Sequence, residues 1–468
     1  MMNKPLLLIL LFAALFTFSC RKDSFITGKT AILRFSSDTL FFDTVFTATG
    51  SVTQAVKVIN GNDQKLRLSD IRLMGGSGSN FAININGSPG PDRTDLDLEA
   101  GDSVYIFVAV TISPGAVDLP FVVQDSIAVS FNGNRRFIQL QAWGQNAHFL
   151  RNGVISSNTT WDNTLPYVIT GSLRVDTNVT LTMMQGCRVY LHADAPFLVD
   201  GSLQVLGDKY DSTRVRFQGD RTDQPYREYP GSWPGIYFRE TSINNLLQFA
   251  IIKNAYQAVV AESPSSNASP KLVMNQCIVD NSYDAGVLGA QSSIQATNCL
   301  ISNCGKNIVL GYGGSYSFTH CTVASYSNDL IAHTQPVLFV SNYVVQSGNT
   351  LSADLNAQFI NCIFWGNYGN VDDEVQVSRQ GSNAFNVTFS NSLWKVKTSP
   401  AGVTANQMIA NSDPLFDSIN TFRRTYDFHL KSGSPAINQG ANTGVTLDLD
   451  GKARPVGLPD LGCYESDF

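Results

Sequence analysis

Short apolar runs alternate with polar and turn residues along nearly the whole chain, and in the middle of the sequence their spacing is regular. One motif recurs there: a polar residue, a small or thiol residue, two mostly apolar residues and a turn residue. Cys277, Cys299 and Cys321 occupy the second position at equal intervals, Tyr343 falls at the same interval again, and Cys362 follows at a slightly shorter one. A fixed period of this kind without a helical phase predicts a solenoid in which each repeat is one coil of a parallel β-helix.

The motif extends in both directions at longer intervals. Ala250, before Cys277, and Ser392, after Cys362, occupy the position of the cysteines, and we interpret the longer intervals as coils that carry longer loops. Upstream, the segments 171–175 and 201–205 repeat each other, with another strand start at Cys187 between them. We therefore predict a β-helix over residues 149–405.

The cysteines of this motif are predicted to be small hydrophobic residues rather than partners in disulfides. Residues one coil apart stack about 4.8 Å apart with parallel Cα–Cβ vectors, whereas a disulfide needs Cβ atoms about 3.8 Å apart that converge. Cys277, Cys299, Cys321 and Cys362 should thus form an interior ladder. A zinc site is the alternative, but the chain contains no CxxC pair.

Residues 36–148 have a different pattern. Apolar and polar residues alternate in short runs, as in 56–58, 104–110 and 137–140, and Gly, Asn and Pro separate the runs. About seven short strands over this length predict an immunoglobulin-like β-sandwich. The run 98–103 before a long strand resembles the sandwich domains of the Hydin and major-sperm-protein type, whose role is contact or standoff.

The N-terminus has the pattern of an export signal. Lys4 precedes an apolar stretch that ends at Ser19-Cys20. This arrangement resembles a bacterial lipoprotein signal of residues 1–19, although Thr17 and Phe18 depart from the commonest form. The resemblance implies lipidation of Cys20, and we assign residues 20–35 to a linker. The polar, charged run 21–24 behind the cysteine is similar to the export tags of Bacteroidetes-type surface lipoproteins, which implies anchoring in the outer membrane, at the cell surface. An ordinary signal peptide with a chance cysteine is the alternative.

The C-terminal 406–468 carries a second family likeness. Five motifs occur in one order, in the segments 412–416, 426–430, 433–440, 448–455 and 460–465. This series resembles the choice-of-anchor Q module, which closes right-handed parallel β-helix repeat proteins on bacterial surfaces. The resemblance implies a right-handed helix and a capping role here. Because the sequence ends at Phe468, we expect the lipid on Cys20 to be the anchor. The predicted fold class is therefore all-β, with a sandwich, a helix and a cap.

Charge limits the partners. The net charge is -6, only 15% of residues are charged, and no Lys/Arg cluster occurs outside the extreme N-terminus. These values disfavour nucleic-acid binding. The expected partners are the membrane, through the lipid, and a polysaccharide or envelope protein.

One segment, 226–240, resembles a catalytic loop in composition. Its tyrosine, arginines and glutamates suggest a lyase base and an enolate stabiliser, and its aromatic rings suggest sugar stacking. The alternative is packing, because Trp-Pro-Gly-Ile-Tyr-Phe resembles a widespread β-helix coil motif. The catalytic candidates are Arg227, Glu228, Tyr229 and Arg239, and the stacking candidates are Tyr226, Trp233 and Tyr237.

Two acidic clusters have oxygen ligands of the kind that Ca²⁺ prefers. Asp372, Asp373 and Glu374 are consecutive, and Asp448 and Asp450 form an Asp-x-Asp-Gly sequence. A solvated loop and capping turns are the respective alternatives, and no other cofactor is expected.

Three functions remain open after these observations. The first is binding of glycan or another envelope component without catalysis. The second is a polysaccharide lyase or glycoside hydrolase that acts on an acidic polysaccharide, and the third is a structural spacer or adhesin. Fold alone does not decide among them. Converging Arg, Lys, Tyr or His with a carboxylate on one face would favour an enzyme, and a flat aromatic or Asn-rich face would favour binding.

Overall fold

The computed structural model describes residues 24–46, 51–112 and 121–467. Over these residues the protein is all-β, and the helical elements there are two short 3-10 turns, Gly76–Gly78 and Tyr226–Glu228. The chain divides into two compact units, Met1–Asn146 and Ala147–Phe468. No helix of the described part is long and apolar enough to cross a membrane.

The first unit contains two five-stranded sheets around one core. Its strands are β1 (Leu33–Phe35), β2 (Thr39–Phe46), β3 (Gln54–Asn60), β4 (Leu66–Leu73), β5 (Phe81–Ile85), β6 (Ser88–Pro89), β7 (Asp92–Leu98), β8 (Ser103–Val110), β9 (Phe121–Phe131) and β10 (Asn134–Gln145). One sheet has the order β1-β3-β8-β5-β6 and the other β2-β10-β9-β4-β7. The alternation predicted from sequence is present, since Val104, Ile106, Val108 and Val110 are buried and the residues between them face outward. The immunoglobulin-like character of this unit stays a prediction.

The second unit is built on a 26-stranded sheet. Its first strands are β11 (His148–Ile155), β12 (Thr159–Trp161), β13 (Tyr167–Val175), β14 (Thr180–Met184), β15 (Arg188–Leu191), β16 (Phe197–Val199), β17 (Ser202–Leu206), β18 (Val215–Gly219), β19 (Ile236–Phe238), β20 (Asn245–Gln248), β21 (Ala250–Lys253), β22 (Gln257–Glu262), β23 (Leu272–Asn275) and β24 (Ile278–Asp280). They continue with β25 (Ala285–Thr297), β26 (Leu300–Ser302), β27 (Lys306–Thr319), β28 (Thr322–Tyr326) and β29 (Leu338–Ser341).

Two antiparallel strand pairs lie outside this sheet. One interrupts it and the other follows it. The first is β30 (Tyr343–Gln346) with β31 (Asn349–Ser352). The sheet resumes with β32 (Leu355–Ile360), β33 (Ile363–Asn367), β34 (Val375–Ser378), β35 (Phe385–Ser390), β36 (Leu393–Trp394), β37 (Thr404–Asn406) and β38 (Ile409–Ala410). The second pair is β39 (Phe416–Asn420) with β40 (Thr425–Leu430).

Strands of the large sheet pair in parallel with strands two or three places further along, so the chain winds as a β-helix does. Ile251 pairs with Ile278, Ile278 with Leu300, and Leu300 with Thr322. The last two steps have the same length as the interval between Cys277 and Cys299, so the period in the sequence corresponds to one coil. The parallel, β-helix-like winding predicted for the middle of the chain is therefore present.

The cysteine ladder lies inside this winding. Cys277, Cys299, Cys321 and Cys362 are free thiols without solvent exposure, and their sulfurs lie near backbone carbonyls, as Cys299 Sγ does to Thr297 O at 3.4 Å. The prediction of stacked interior hydrophobes is confirmed for all four.

The assignment of Tyr343 to a coil is wrong. Tyr343 begins β30, and the β30–β31 hairpin lies outside the large sheet. Thr322 pairs directly with Ile363, so Cys362 follows Cys321 by one coil into which a hairpin has been inserted. Tyr343, the first residue of this hairpin, lies one period after Cys321 by chance.

The C-terminal segment packs on an outward face of the winding. Phe416, Phe428 and Leu461 share a buried cluster with Ile363 and Leu393, which point away from the interior ladder. Within this segment Arg454 Nε donates to Glu465 Oε2 at 2.8 Å, and neither side chain is exposed. Residues 411–467 therefore belong to the second unit and cover one of its faces.

Candidate functional site

The second unit carries a groove of about 900 Å³, which we call the polar groove. Consecutive coils line it with outward side chains from β25, β27, β32 and β35. In the β-sheet register Ser293 pairs with Ser315, Ser315 with Asn356, and Asn356 with Asn386. Since adjacent strands lie about 4.8 Å apart, these four side chains form one row of hydrogen-bonding groups across the groove.

The residues that follow them along the strands point into the interior of the winding. Ile294 and Ala357 alternate with the row and are buried. Tyr316 is also buried, and its hydroxyl donates to Gly313 O at 2.9 Å. Burial raises the pKa of Tyr316, so this tyrosine does not supply a base to the groove.

Asp354 is the one charged residue among the described residues that line the polar groove. Its Oδ1 accepts hydrogen bonds from Ala384 N at 2.9 Å and Asn383 Nδ2 at 3.3 Å. A glycoside hydrolase of the usual type needs two carboxyl groups across the scissile bond, and a lyase needs a cation beside its base. The described lining of the polar groove has neither set.

A second depression of about 320 Å³ lies where the C-terminal segment meets the strand face, and we call it the charged cleft. Ile251, Ile278 and Leu300 form its floor on neighbouring coils. Tyr426 and Phe428 stand along its side with ring centroids 6.2 Å apart. Its rim carries three cations, Arg216, Lys253 and Arg424, and three carboxylates, Asp211, Asp280 and Asp427.

His429 lies behind the charged cleft between two carboxylates. Its Nδ1 is 2.6 Å from Asp427 Oδ1, its Nε2 is 3.0 Å from Asp450 Oδ2, and its ring stacks on Tyr464. Burial acts to lower the pKa of His429, but the hydrogen bonds to Asp450 and Asp427 outweigh burial and raise it. The hydrogen bond from His429 in turn lowers the pKa of Asp450. This triad of His429, Asp427 and Asp450 favours the imidazolium form of His429, held between two carboxylates.

The catalytic candidates of the 226–229 loop have local partners. Arg227 Nε pairs with Glu228 Oε1 at 3.1 Å on the exposed surface. Tyr229 lies edge-on to Tyr226 at 5.4 Å, and Arg221 lies 3.9 Å from the Tyr226 ring centroid. The loop is tied to the winding through its backbone, for example by Asn254 Nδ2 donating to Arg227 O. Glu228 also lines a recess of about 60 Å³ that adjoins the charged cleft.

The other residues of the 226–240 segment have separate partners. Arg239 forms a two-pronged ion pair with Asp200. Trp233 is fully buried, with its indole N–H donating to Lys253 O at 2.8 Å, so it presents no face to a ligand. Tyr237 is half-buried, and its hydroxyl donates to Pro234 O. These contacts are those of a packed coil.

The three side chains of the first acidic cluster, 372–374, each have a different partner. Asp372 pairs with Lys397 Nζ at 2.8 Å, Asp373 accepts from the backbone of Lys397, and Glu374 is buried against His333. The hydrogen bond from Lys397 lowers the pKa of Asp372.

In the second acidic cluster, Asp448 accepts hydrogen bonds within a turn and Asp450 belongs to the triad around His429. Asp448 Oδ1 accepts from the backbone N–H groups of Asp450 and Lys452, and Asp450 holds His429. Across the described residues, three or more His, Cys, Asp or Glu side chains are nowhere arranged to hold a metal ion.

Cys20 and the signal segment lie outside the described residues. Lipidation at Cys20 thus stays a prediction.

Sequence reasoning missed both depressions. The row of the polar groove has a recognisable position once the ladder is known: Ser293, Ser315 and Asn356 each precede a ladder cysteine by the same interval, and Asn386 precedes Ser392 by that interval too. The charged cleft has no such regularity, because its walls come from coils and from a C-terminal segment distant in sequence.

Comparisons with known proteins do not assign a family. No family model and no curated protein matches the chain. Among solved structures, a GH87 α-1,3-glucanase from Streptomyces thermodiastaticus strain HF3-3 is similar over 76% of this chain and 88% of that one, at 11% identity and a TM-score of 0.25. A family 123 glycoside hydrolase from Clostridium perfringens is similar over 24% of this chain and 25% of its own length, at 12% identity and a TM-score of 0.18.

A third solved structure is a protein of unknown function from Porphyromonas gingivalis W83. It is similar over 27% of this chain, at 13% identity and a TM-score of 0.19, and the match spans 50% of its own length. Similarities of this size leave the function to the geometry of the site.

Proposed function

We propose that the second unit binds an uncharged polysaccharide along the polar groove without cleaving it. The observation that carries this proposal is the row Ser293, Ser315, Asn356 and Asn386, which repeats hydroxyl and amide groups from coil to coil. A polymer with regularly spaced hydroxyl groups is the ligand class that such a row matches. Because Asp354 is the one charge in the described lining, an acidic polymer gains no ion pair there.

An enzyme that acts on an acidic polysaccharide is the second candidate. The charged cleft favours it, because Lys253, Arg424, Tyr426 and Asp280 line one depression. Burial raises the pKa of Tyr426, however, and this opposes the tyrosinate that a lyase would use as its base. Binding in the polar groove therefore remains the leading proposal.

The cellular setting follows the sequence resemblances. We propose a lipoprotein anchored through Cys20 in the outer membrane, with an immunoglobulin-like first unit as a spacer and a C-terminal module of the choice-of-anchor Q type as a cap. In this arrangement the β-helix is the ligand-binding part.

The test is a panel of neutral polysaccharides (mannan, xylan and a mixed-linkage glucan) and acidic ones (polygalacturonate and hyaluronate). The purified protein should be retarded by one or more neutral polymers in affinity gels. Ultraviolet absorbance and reducing-end assays should detect no products. Turnover of any polymer would replace the proposal with an enzyme, and retardation by acidic polymers only, or by none of the polymers, would contradict it.

A further inference from the structure

The charged cleft is a separate concave site in the second unit, and it shares no lining residue with the polar groove. Its volume of about 320 Å³ lies at the lower end of the range for small-molecule sites, roughly 300–1,000 Å³. A space of this size accepts one ring-sized molecule rather than several units of a polymer.

The floor and side of the charged cleft suit an apolar ring face. Ile251 and Leu300 are almost completely buried and Ile278 is half-buried. The rings of Tyr426 and Phe428 are nearly parallel, with an interplanar angle of 13°. A flat ring can therefore contact aliphatic side chains below and aromatic rings beside it.

Two of the three carboxylates of the cleft, Asp280 and Asp427, already accept hydrogen bonds from protein donors, and the third, Asp211, faces solvent beside Arg216. Asp280 Oδ1 accepts from Ser302 Oγ at 2.8 Å, and its Oδ2 lies 3.1 Å from Lys253 Nζ. Asp427 Oδ1 accepts from both the backbone and the ring of His429. These oxygens have little remaining capacity for a ligand.

The cations have unused donors. Toward the described residues, Arg424 donates from Nη1 alone, to Asp329 at 2.6 Å, and Arg216 donates from Nη2 alone, to Asp211. A guanidinium carries five N–H donors. The Asp329 and Asp211 side chains are 63% and 89% exposed, so solvent-screened pairs of this kind compete weakly with a ligand. The cleft therefore has more unused hydrogen-bond donors than unused acceptors, although its cations and carboxylates are equal in number.

We propose that the charged cleft binds a ring-sized ligand that carries a carboxylate. The ring lies on Ile251, Ile278 and Leu300 beside Tyr426, and the carboxylate accepts hydrogen bonds from Arg424 and Arg216. A hexuronic acid and an aromatic acid share this chemistry. The site is independent of polysaccharide binding in the polar groove.

The experiment is calorimetric titration of the full-length protein with two acids, glucuronate and benzoate, and their uncharged counterparts, glucose and benzyl alcohol. At least one acid should bind, and the uncharged counterparts should not. Binding of glucuronate assigns the cleft to sugar acids, and binding of benzoate alone assigns it to aromatic acids.

Variants place the binding in the cleft. Arg424→Gln should weaken binding of the acid by about tenfold or more, because it removes a charge-assisted hydrogen bond. Arg423→Gln removes the same charge from an exposed neighbour and should change nothing. Arg216→Gln provides a second variant if Arg424→Gln fails to fold. Equal binding of acids and uncharged counterparts, no binding at millimolar ligand, or unchanged affinity in folded Arg424→Gln and Arg216→Gln would overturn the proposal.

Discussion

His333 Nε2 lies 2.9 Å from Glu374 Oε1, and both side chains are buried. Lys395 Nζ is 4.0 Å from the same oxygen, and no described side chain or backbone group hydrogen-bonds Glu374 Oε2. Gly366 lies against the pair, where a Cβ atom would come within 2.3 Å of His333 Nε2. Each member of this pair therefore depends on the other to offset burial.

The first prediction concerns this pair. His333→Ala should lower the free energy of unfolding by about 3–5 kcal/mol, because it leaves the Glu374 carboxylate buried without its main partner. Urea denaturation measures the loss. Lys397→Ala is the contrasting control, since Lys397 and Asp372 are 70% and 68% exposed in their pair and removal of this lysine should leave the free energy of unfolding nearly unchanged. Equal losses in both variants would refute this account of the pair.

The cysteine ladder gives the second prediction. Cys299→Asp should destabilise the protein by about 3 kcal/mol or more, or prevent folding, because the new carboxylate has no partner in the interior. Cys299→Ala keeps a small apolar residue and should remain folded with a smaller loss. Thermal unfolding of both variants measures the difference. If Cys299→Asp melts with the wild type, the interior register is incorrect.

The third prediction is a pH dependence from His320. Burial, followed by the charge of Arg454, lowers the pKa of His320 to about 3. From about pH 6.5 downward the unfolded chain therefore binds a proton that the folded chain does not, and stability falls by about 1.4 kcal/mol per pH unit. His320→Asn should remove this contribution. Asparagine is compatible with the turn, because Asn298 and Asn361 occupy the same position in neighbouring coils with similar positive φ.

Urea unfolding at pH 7, 6 and 5 tests this prediction. The stability gap between His320→Asn and the wild type should shift in favour of the variant as the pH falls. His429→Gln is the contrasting control. The folded-state pKa of His429 is raised, so its contribution is present at low pH and is lost as the pH rises through that pKa. Parallel pH profiles for the wild type and His320→Asn would contradict the burial of a neutral His320.

The regular spacing of the repeated motif made the β-helical winding predictable from the sequence, but inserted segments could not be predicted in this way. Cys277, Cys299 and Cys321 fall on consecutive coils of equal length, so one period locates them all. The β30–β31 hairpin has no counterpart in the other described coils, and Tyr343 was misplaced because the start of this hairpin falls one period after Cys321.

The two depressions could not be derived from linear motifs. Ser293, Ser315, Asn356 and Asn386 are ordinary polar residues that become a row only when the register brings four coils together. Arg424 enters the charged cleft through packing of the C-terminal segment, which no local pattern specifies. The loop 226–229 attracted attention because its charged and aromatic residues are adjacent in sequence, but their contacts are mostly with each other.

The fourth prediction concerns the anchor. Cys20→Ser should move the protein from the membrane fraction to the soluble fraction, because a lipid chain on this cysteine is the proposed attachment. Fractionation followed by immunoblotting measures the shift, and metabolic labelling with a fatty-acid analogue should be lost in the same variant. Ser19→Ala serves as a control that keeps the cysteine. Retention of the variant in the membrane fraction would contradict the proposed anchor.

The measurement that tests the central proposal most directly is calorimetric titration of the wild type and of Asn356→Ala/Asn386→Ala with the neutral polymers mannan, xylan and mixed-linkage glucan. The wild type should bind at least one of them. The double variant should bind it about tenfold or more weakly, since each lost hydrogen bond is worth about 1 kcal/mol. Gln376→Ala, an exposed amide on β34 outside the polar groove, should bind as the wild type does. Binding that is unchanged in a folded double variant, or no binding of any neutral polymer by the wild type, would contradict the proposal.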